Sequence, residues 1–97
     1  MLFEWDEVKS RRNLVKHRIS FETAKLVFDD PYALTGRDRV VEGEERWQNL
    51  GMIGGVVVLV AYTFRDEGED PVTRIISARK ATPTERTAYA EAHKASS

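Results

Sequence analysis

The sequence predicts an α+β domain: two N-terminal helices, an antiparallel sheet of three to four strands, and a C-terminal helix. Three observations carry this. The N-terminal third is charged, cap-punctuated and helix-periodic; an apolar run, Val56-Val57-Val58-Leu59-Val60-Ala61-Tyr62-Thr63-Phe64, sits between Gly54-Gly55 and Asp66-Glu67-Gly68; and Thr82-Pro83-Thr84-Glu85 opens a final helical stretch. Segregation of helices and strands along the chain places the helices on one face of the sheet. Residues 1–97 read as one domain, without repeat, linker or low-complexity tract.

The first helix spans about Asp6 to Arg18, with Asp6 as N-cap and a stripe of Trp5, Val8, Leu14 and Val15. Ser20 caps a second, flanked by Ile19 and Ala24 as a hydrophobic staple and presenting Phe21, Ala24, Val27 and Phe28. Asp29-Asp30-Pro31 stops it, because proline disfavours helical geometry before it and offers no N–H. Tyr32 to Thr35 reads as a short edge strand, while Gly36 to Gly43 is too rich in charges and turn formers to assign.

The valine-rich run is too short for a membrane span and too β-branched for a preferred helix, so it reads as a central strand; its near-continuous apolarity implies cover on much of both faces. Gly54-Gly55 joins it to Glu45–Ile53 as a hairpin, since both glycines accept positive φ. Ile53 then faces Val56 and Trp47 faces Tyr62. One hairpin face carries Trp47, Ile53, Val56, Val58, Val60, Tyr62 and Phe64 for packing on helices; the other carries Glu44, Arg46, Gln48, Thr63 and Arg65 and is free to meet a substrate. After an acidic loop, Val72–Arg79 is a further strand in which Arg74 and Arg79 differ in parity, so they share a face only if a bulge intervenes. The last helix takes Thr82 as N-cap, Pro83 at its first position and Glu85 reaching back, and runs to about His93.

Composition narrows the chemistry. No cysteine is present, which removes disulfides, thiolate zinc sites and cysteine nucleophiles and fits a reducing compartment. The N-terminus enters charged sequence directly, and a soluble, cytoplasmic protein with no membrane association is expected. Phosphate loops, dinucleotide fingerprints and nucleophile elbows are missing, and His17 and His93 lack acidic partners at metal-binding spacing, so neither metal nor cofactor is expected. Net charge is −1, yet Lys9, Arg11, Arg12, Lys16, Arg18 and Lys25 face the single acid Glu22, and Arg74, Arg79, Lys80 and Arg86 form a second basic group. That separation suits a local phosphate-binding patch, although each lysine taken alone reads first as solvated surface.

Arginines, lysines and one histidine suit RNA cleavage without metal: the 2′-hydroxyl attacks its own phosphate, and the protein moves protons and stabilises the phosphorane. His17 admits two readings, acid/base catalyst or cation closing the first helix's C-terminus. Glu45 and Arg46 read either as a cross-strand ion pair or as catalytic groups, and Trp5, Trp47 and Tyr62 as base-stacking platforms or core.

Phe3-Glu4-Trp5-Asp6, Lys9, Asn13-Leu14, Lys16-His17, Ser20-Phe21, Asp30-Pro31, Glu44-Glu45-Arg46, Thr63, Arg65, Arg74-Ile75-Ile76-Ser77-Ala78-Arg79 and Glu85-Arg86 together resemble the BrnT toxin family. The resemblance implies a RelE-like fold, ribonuclease activity that inhibits translation, and neutralisation by a BrnA-like antitoxin through which alone operator DNA is reached. It implies Lys16, His17, Glu45, Arg46, Arg74 and Arg79 as catalytic candidates and Lys9, Arg65 and Lys80 as RNA-binding residues, with Arg74 and Arg79 on phosphate and His17 or Glu45 moving protons. One position departs: the family's usual glycine after Lys-His is Arg18, a Cβ-bearing residue where a helix end favours positive φ. A non-enzymatic partner using the same basic surface for antitoxin or nucleic acid is the alternative function.

Overall fold

A computed structural model describes residues 1–65, 68 and 70–96. The elements are β1 (Leu2–Glu4), α1 (Glu7–His17), α2 (Phe21–Ala24) continued by a 3₁₀ segment (Lys25–Asp29), β2 (Leu34–Val41), β3 (Glu44–Ile53), β4 (Val56–Arg65), β5 (Val72–Lys80) and α3 (Pro83–Ser96). They build one five-stranded sheet in the order β1-β5-β4-β3-β2. The α+β class stands, but the sheet is larger than expected and mixed, because β1 pairs parallel to β5 while all other neighbours are antiparallel. β1 escaped the sequence reading because three residues carry no periodicity. β2 was underestimated because it is an edge strand, with Thr35 to Val40 all exposed, so no apolar alternation marks it. Of the acidic loop between β4 and β5, Asp66, Glu67 and Glu69 lie outside the described residues.

The hairpin register is as expected, from Ile53 opposite Val56 to Trp47 opposite Tyr62. Gly54 and Gly55 take φ of 54° and 84°, the left-handed geometry of a primed two-residue turn. Residues opposite one another in a ladder share a face, so the register sorts every strand residue to one of two sides.

On one side Val58, Val60, Ile75 and Ala78 meet Ile19, Phe21, Ala24 and Val27, with Phe3, Trp5, Phe28 and Ile53 packed around them. Full burial of side chains such as Phe21, Val27, Val60 and Ile75 contributes roughly 1.5–3 kcal/mol each. The 3₁₀ segment sits directly on β3 because Gly51 has no side chain: a Cβ there would stand 2.9 Å from Val27 Cγ1. On the other side Leu50, Val57 and Leu59 pack with Ala81 and with Tyr89 of α3. The expectation that all helices share one face is therefore corrected. The apolar run of β4 supplies buried residues of both parities, and α3 covers the second set.

Asn13 fastens α1 to the sheet. β1 stops pairing at Glu4 opposite Arg74, leaving the β5 edge open further along. There the Asn13 amide donates to Ala78 O (2.8 Å) and Ile19 O (2.7 Å) and accepts from Ala78 N–H (3.2 Å), replacing a missing strand. Ser10 Oγ accepts from Phe21 N–H at 2.9 Å and fixes the start of α2. Among the described residues no helix is long and apolar enough to cross a membrane.

Candidate functional site

Among the described residues α3 covers only the hairpin end of its sheet face, and the remainder of that face is open and rich in arginine. The register explains how. Between Ala61, opposite Ser77, and Tyr62, opposite Ile75, the β4–β5 ladder skips Ile76. This bulge is the one irregularity that lets Arg74 and Arg79, five positions apart, point the same way. Arg74 lies opposite Thr63 and Arg79 opposite Leu59, both on the α3 side. Arg46 alternates onto the same side as Gln48, and Arg65 onto the same side as Thr63. A second irregularity, between Arg37 and Arg39, sets Arg39 opposite Arg46.

Each arginine has a distinct bonding state. Glu4, opposite Arg74 in the β1–β5 pair, holds Arg65 Nη2 through Oε1, and its Oε2 lies 3.7 Å from Arg74 Nη1. Arg79 is bound at both tips by Glu85 (2.7 and 3.0 Å) and also donates to Lys80 O. Hydrogen bonding to Arg79 holds the Glu85 carboxyl down at about 2, and the same bonds make the Arg79 guanidinium more basic than usual. Glu85 Oε1 additionally accepts from Thr82 N–H (2.8 Å), while Glu85 N–H donates to Thr82 Oγ1 (3.2 Å), completing the expected capping box. Arg79 thus borders the open face and ties it to α3. On this face the Thr63 hydroxyl, on a residue only 1% exposed, and Arg46 Nε are buried without a hydrogen-bond partner among the described residues. Buried donors in that state are suited to an incoming acceptor.

Two strand candidates face the other way. Glu45 is on the opposite sheet face, ion-paired to Arg37 at 3.0 Å, with the Arg37 guanidinium 5.4 Å above the Trp47 ring. That face holds a groove of about 520 Å³ lined by Thr35, Glu44, Glu45, Trp47, Tyr62 and Phe64. Lys80 is opposite Val58 and so also faces away from the arginines. Lys9, Lys16 and His17 belong to α1, with both lysines exposed and His17 half-buried in the last turn. Tyr62 is core, edge-on to Phe28 at 5.0 Å, and Trp5 packs on the same core.

Arg46, Arg65, Arg74 and Arg79 therefore share one face, which Glu45 and Lys80 do not. Glu4 was missed as a site residue because its strand left no pattern. Glu85 was read as a cap, but its hold on Arg79 depends on the β5–α3 turn. Among the described residues no group of three or more His, Asp or Glu side chains is placed to hold a metal ion.

No curated protein matches the chain at a significant level. The family profile described as ribonuclease toxin, BrnT, of type II toxin–antitoxin system matches residues 5–85, from the last residue before the α1 cap through the glutamate that holds Arg79. With that match spanning most of its length, the chain belongs to the BrnT family of ribonuclease toxins.

Proposed function

We propose that this chain is a metal-independent endoribonuclease whose open arginine face cleaves RNA by attack of a ribose 2′-hydroxyl on its own phosphate, and that this cleavage inhibits translation. A type II toxin of this family has RNA as substrate and an antitoxin as partner. The partner in this reading is BrnA-like, and operator DNA is contacted only through it. The observation that carries the proposal is the bulge at Ile76, which gathers Arg74 and Arg79 with Arg46 and Arg65 on a face that α3 leaves uncovered. Guanidinium forks match phosphate oxygens and stabilise charge that grows on them in the transition state. Arg74 and Arg46 bind the reacting phosphate, Arg65 supports them, and Arg79 defines the border with α3. Glu45 and Lys80 point away from that face and are not required at the reacting phosphate.

The test is incubation of purified protein with a defined RNA in EDTA, identifying both ends of every fragment, with Arg74→Ala as control. Arg74 is preferred to Arg79 because truncating Arg79 also releases Glu85 and loosens α3. Fragments ending in 2′,3′-cyclic phosphate and 5′-hydroxyl are expected, falling on the order of 100-fold in rate with Arg74→Ala at unchanged thermal midpoint. RNA left intact, also when translating ribosomes are added, would replace this reading with a non-enzymatic binding role.

A further inference from the structure

We infer that Glu4 is the proton acceptor of the cleavage step, an assignment that rests on the reading of the arginine face as the cleavage site. The reaction needs a base beside the phosphate-binding guanidiniums. Among the described residues two carboxylates form ion pairs with its arginines. Glu85 has both oxygens engaged, by Arg79 and by the Thr82 N–H. Among the described residues Glu4 is the carboxylate that meets Arg65 and Arg74, the arginines the fold sets aside for phosphate.

Its geometry is asymmetric in a useful way. Oε1 is anchored by Arg65, which fixes the carboxylate plane. Oε2 stands 3.7 Å from Arg74 Nη1, outside hydrogen-bond reach, so it keeps its acceptor capacity while lying next to the cation that takes the phosphate. The side chain is 32% exposed, open to a ligand yet held. The backbone beneath is firm, because β1 is paired from Leu2 opposite Val72 to Glu4 opposite Arg74, and Phe3 beside it packs on Phe28 at 5.2 Å.

The step balances without a co-reactant. Oε2 accepts the 2′-hydroxyl proton as the 2′-oxygen bonds to phosphorus. The P–O5′ bond breaks, its electron pair leaves on the 5′-oxygen, and that oxygen takes a proton from water. Arg74, with the buried Thr63 hydroxyl opposite it in the ladder, meets the charge on the phosphorane oxygens. The protonated Glu4 then returns its proton to solvent.

The experiment compares wild type with Glu4→Gln and Glu4→Asp on one RNA, recording kcat, KM, pH–rate profiles and thermal midpoints. Glu4→Gln is expected to lower kcat about 10²- to 10⁴-fold with KM changed less than about threefold, and to abolish the acid limb of the profile. Glu4→Asp retains a carboxylate and is expected to keep that limb at reduced kcat, so the pair remains informative if one variant folds poorly. A substrate with a 5′-bridging sulfur, whose leaving group needs no proton, is expected to leave the Glu4→Gln defect in place. A Gln variant with wild-type kcat, or one that keeps the acid limb, overturns the assignment, and recovery on the sulfur substrate overturns it in favour of a general acid. A wild type that cleaves no RNA overturns the cleavage reading itself, and Glu4 with it.

Discussion

Arg18 ends α1 at φ 63° and ψ 24°, the left-handed conformation, with its N–H donating to Leu14 O at 2.9 Å. A side chain there costs about 1–2 kcal/mol against the following carbonyl, and the helix end accepts the cost because the turn must deliver Ile19 and Phe21 to the core. Arg18→Gly is therefore expected to stabilise the protein by about 1 kcal/mol, seen as a higher urea midpoint at unchanged m-value. Should the midpoint fall, the arginine has a favourable contact that outweighs its backbone strain. That the position wants positive φ was legible from the family pattern. The bulge that unites Arg74 and Arg79 was legible only as a condition, because Ile75 and Ile76 are both apolar and an extra apolar residue leaves no break in the alternation. At this scale the sequence names the residues, and register decides which of them meet.

Among the elements, α1 is the one whose attachment depends least on apolar burial, since its buried residues are Ser10 and Asn13. Asn13 supplies three hydrogen bonds, two of them closing the β5 edge at Ala78. Asn13→Ala strands Ala78 N–H, Ala78 O and Ile19 O in a buried site and is expected to cost about 3 kcal/mol, measured by urea unfolding beside Arg12→Ala, an exposed neighbour expected to stay within about 0.5 kcal/mol. Equal effects of the two would show that water repairs the edge. Caps, hairpin register and helix order could all be read from the chain, since each rests on neighbouring residues. The role of Asn13, like the existence of β1, rests on pairings across more than sixty positions, for which local pattern holds no signal.

Considered whole, the molecule ties α3 to β5 near the helix start and to the segment before β2 further along, and two of these ties titrate. Near its start Glu85 holds Arg79; further along, Tyr89 donates to Asp30, and beyond it His93 stacks on Tyr32 with ring centres 4.0 Å apart. Burial pushes the Asp30 carboxyl up, but bonds from Tyr89 and from the Met52 and Tyr32 N–H groups outweigh it, so the carboxyl is lowered; burial and Asp30 together raise the Tyr89 hydroxyl to about 12. Groups depressed in the folded state stabilise above their unfolded values and lose that contribution as pH falls through the folded value. Glu85 therefore supports the fold fully above its ordinary 4.5 and gives that support up towards about 2. With Arg79 partly exposed, solvent screening limits the loss to roughly 1 kcal/mol. Tyr89 has the opposite sign: its contribution is whole below its ordinary 10.0 and disappears as pH rises through about 12. Stability should accordingly be level from about pH 5 to 9 and fall on both sides. In thermal midpoints taken across that range, Glu85→Gln should reduce the acid slope to the part that Asp30 supplies and Tyr89→Phe should flatten the alkaline side, each at a lower plateau for the hydrogen bond lost. A Glu85→Gln protein with an undiminished acid slope would mean that α3 is held by Tyr89 and the Leu50, Val57 and Leu59 contact alone. The boundary of the arginine face would then be free to move without cost to the fold.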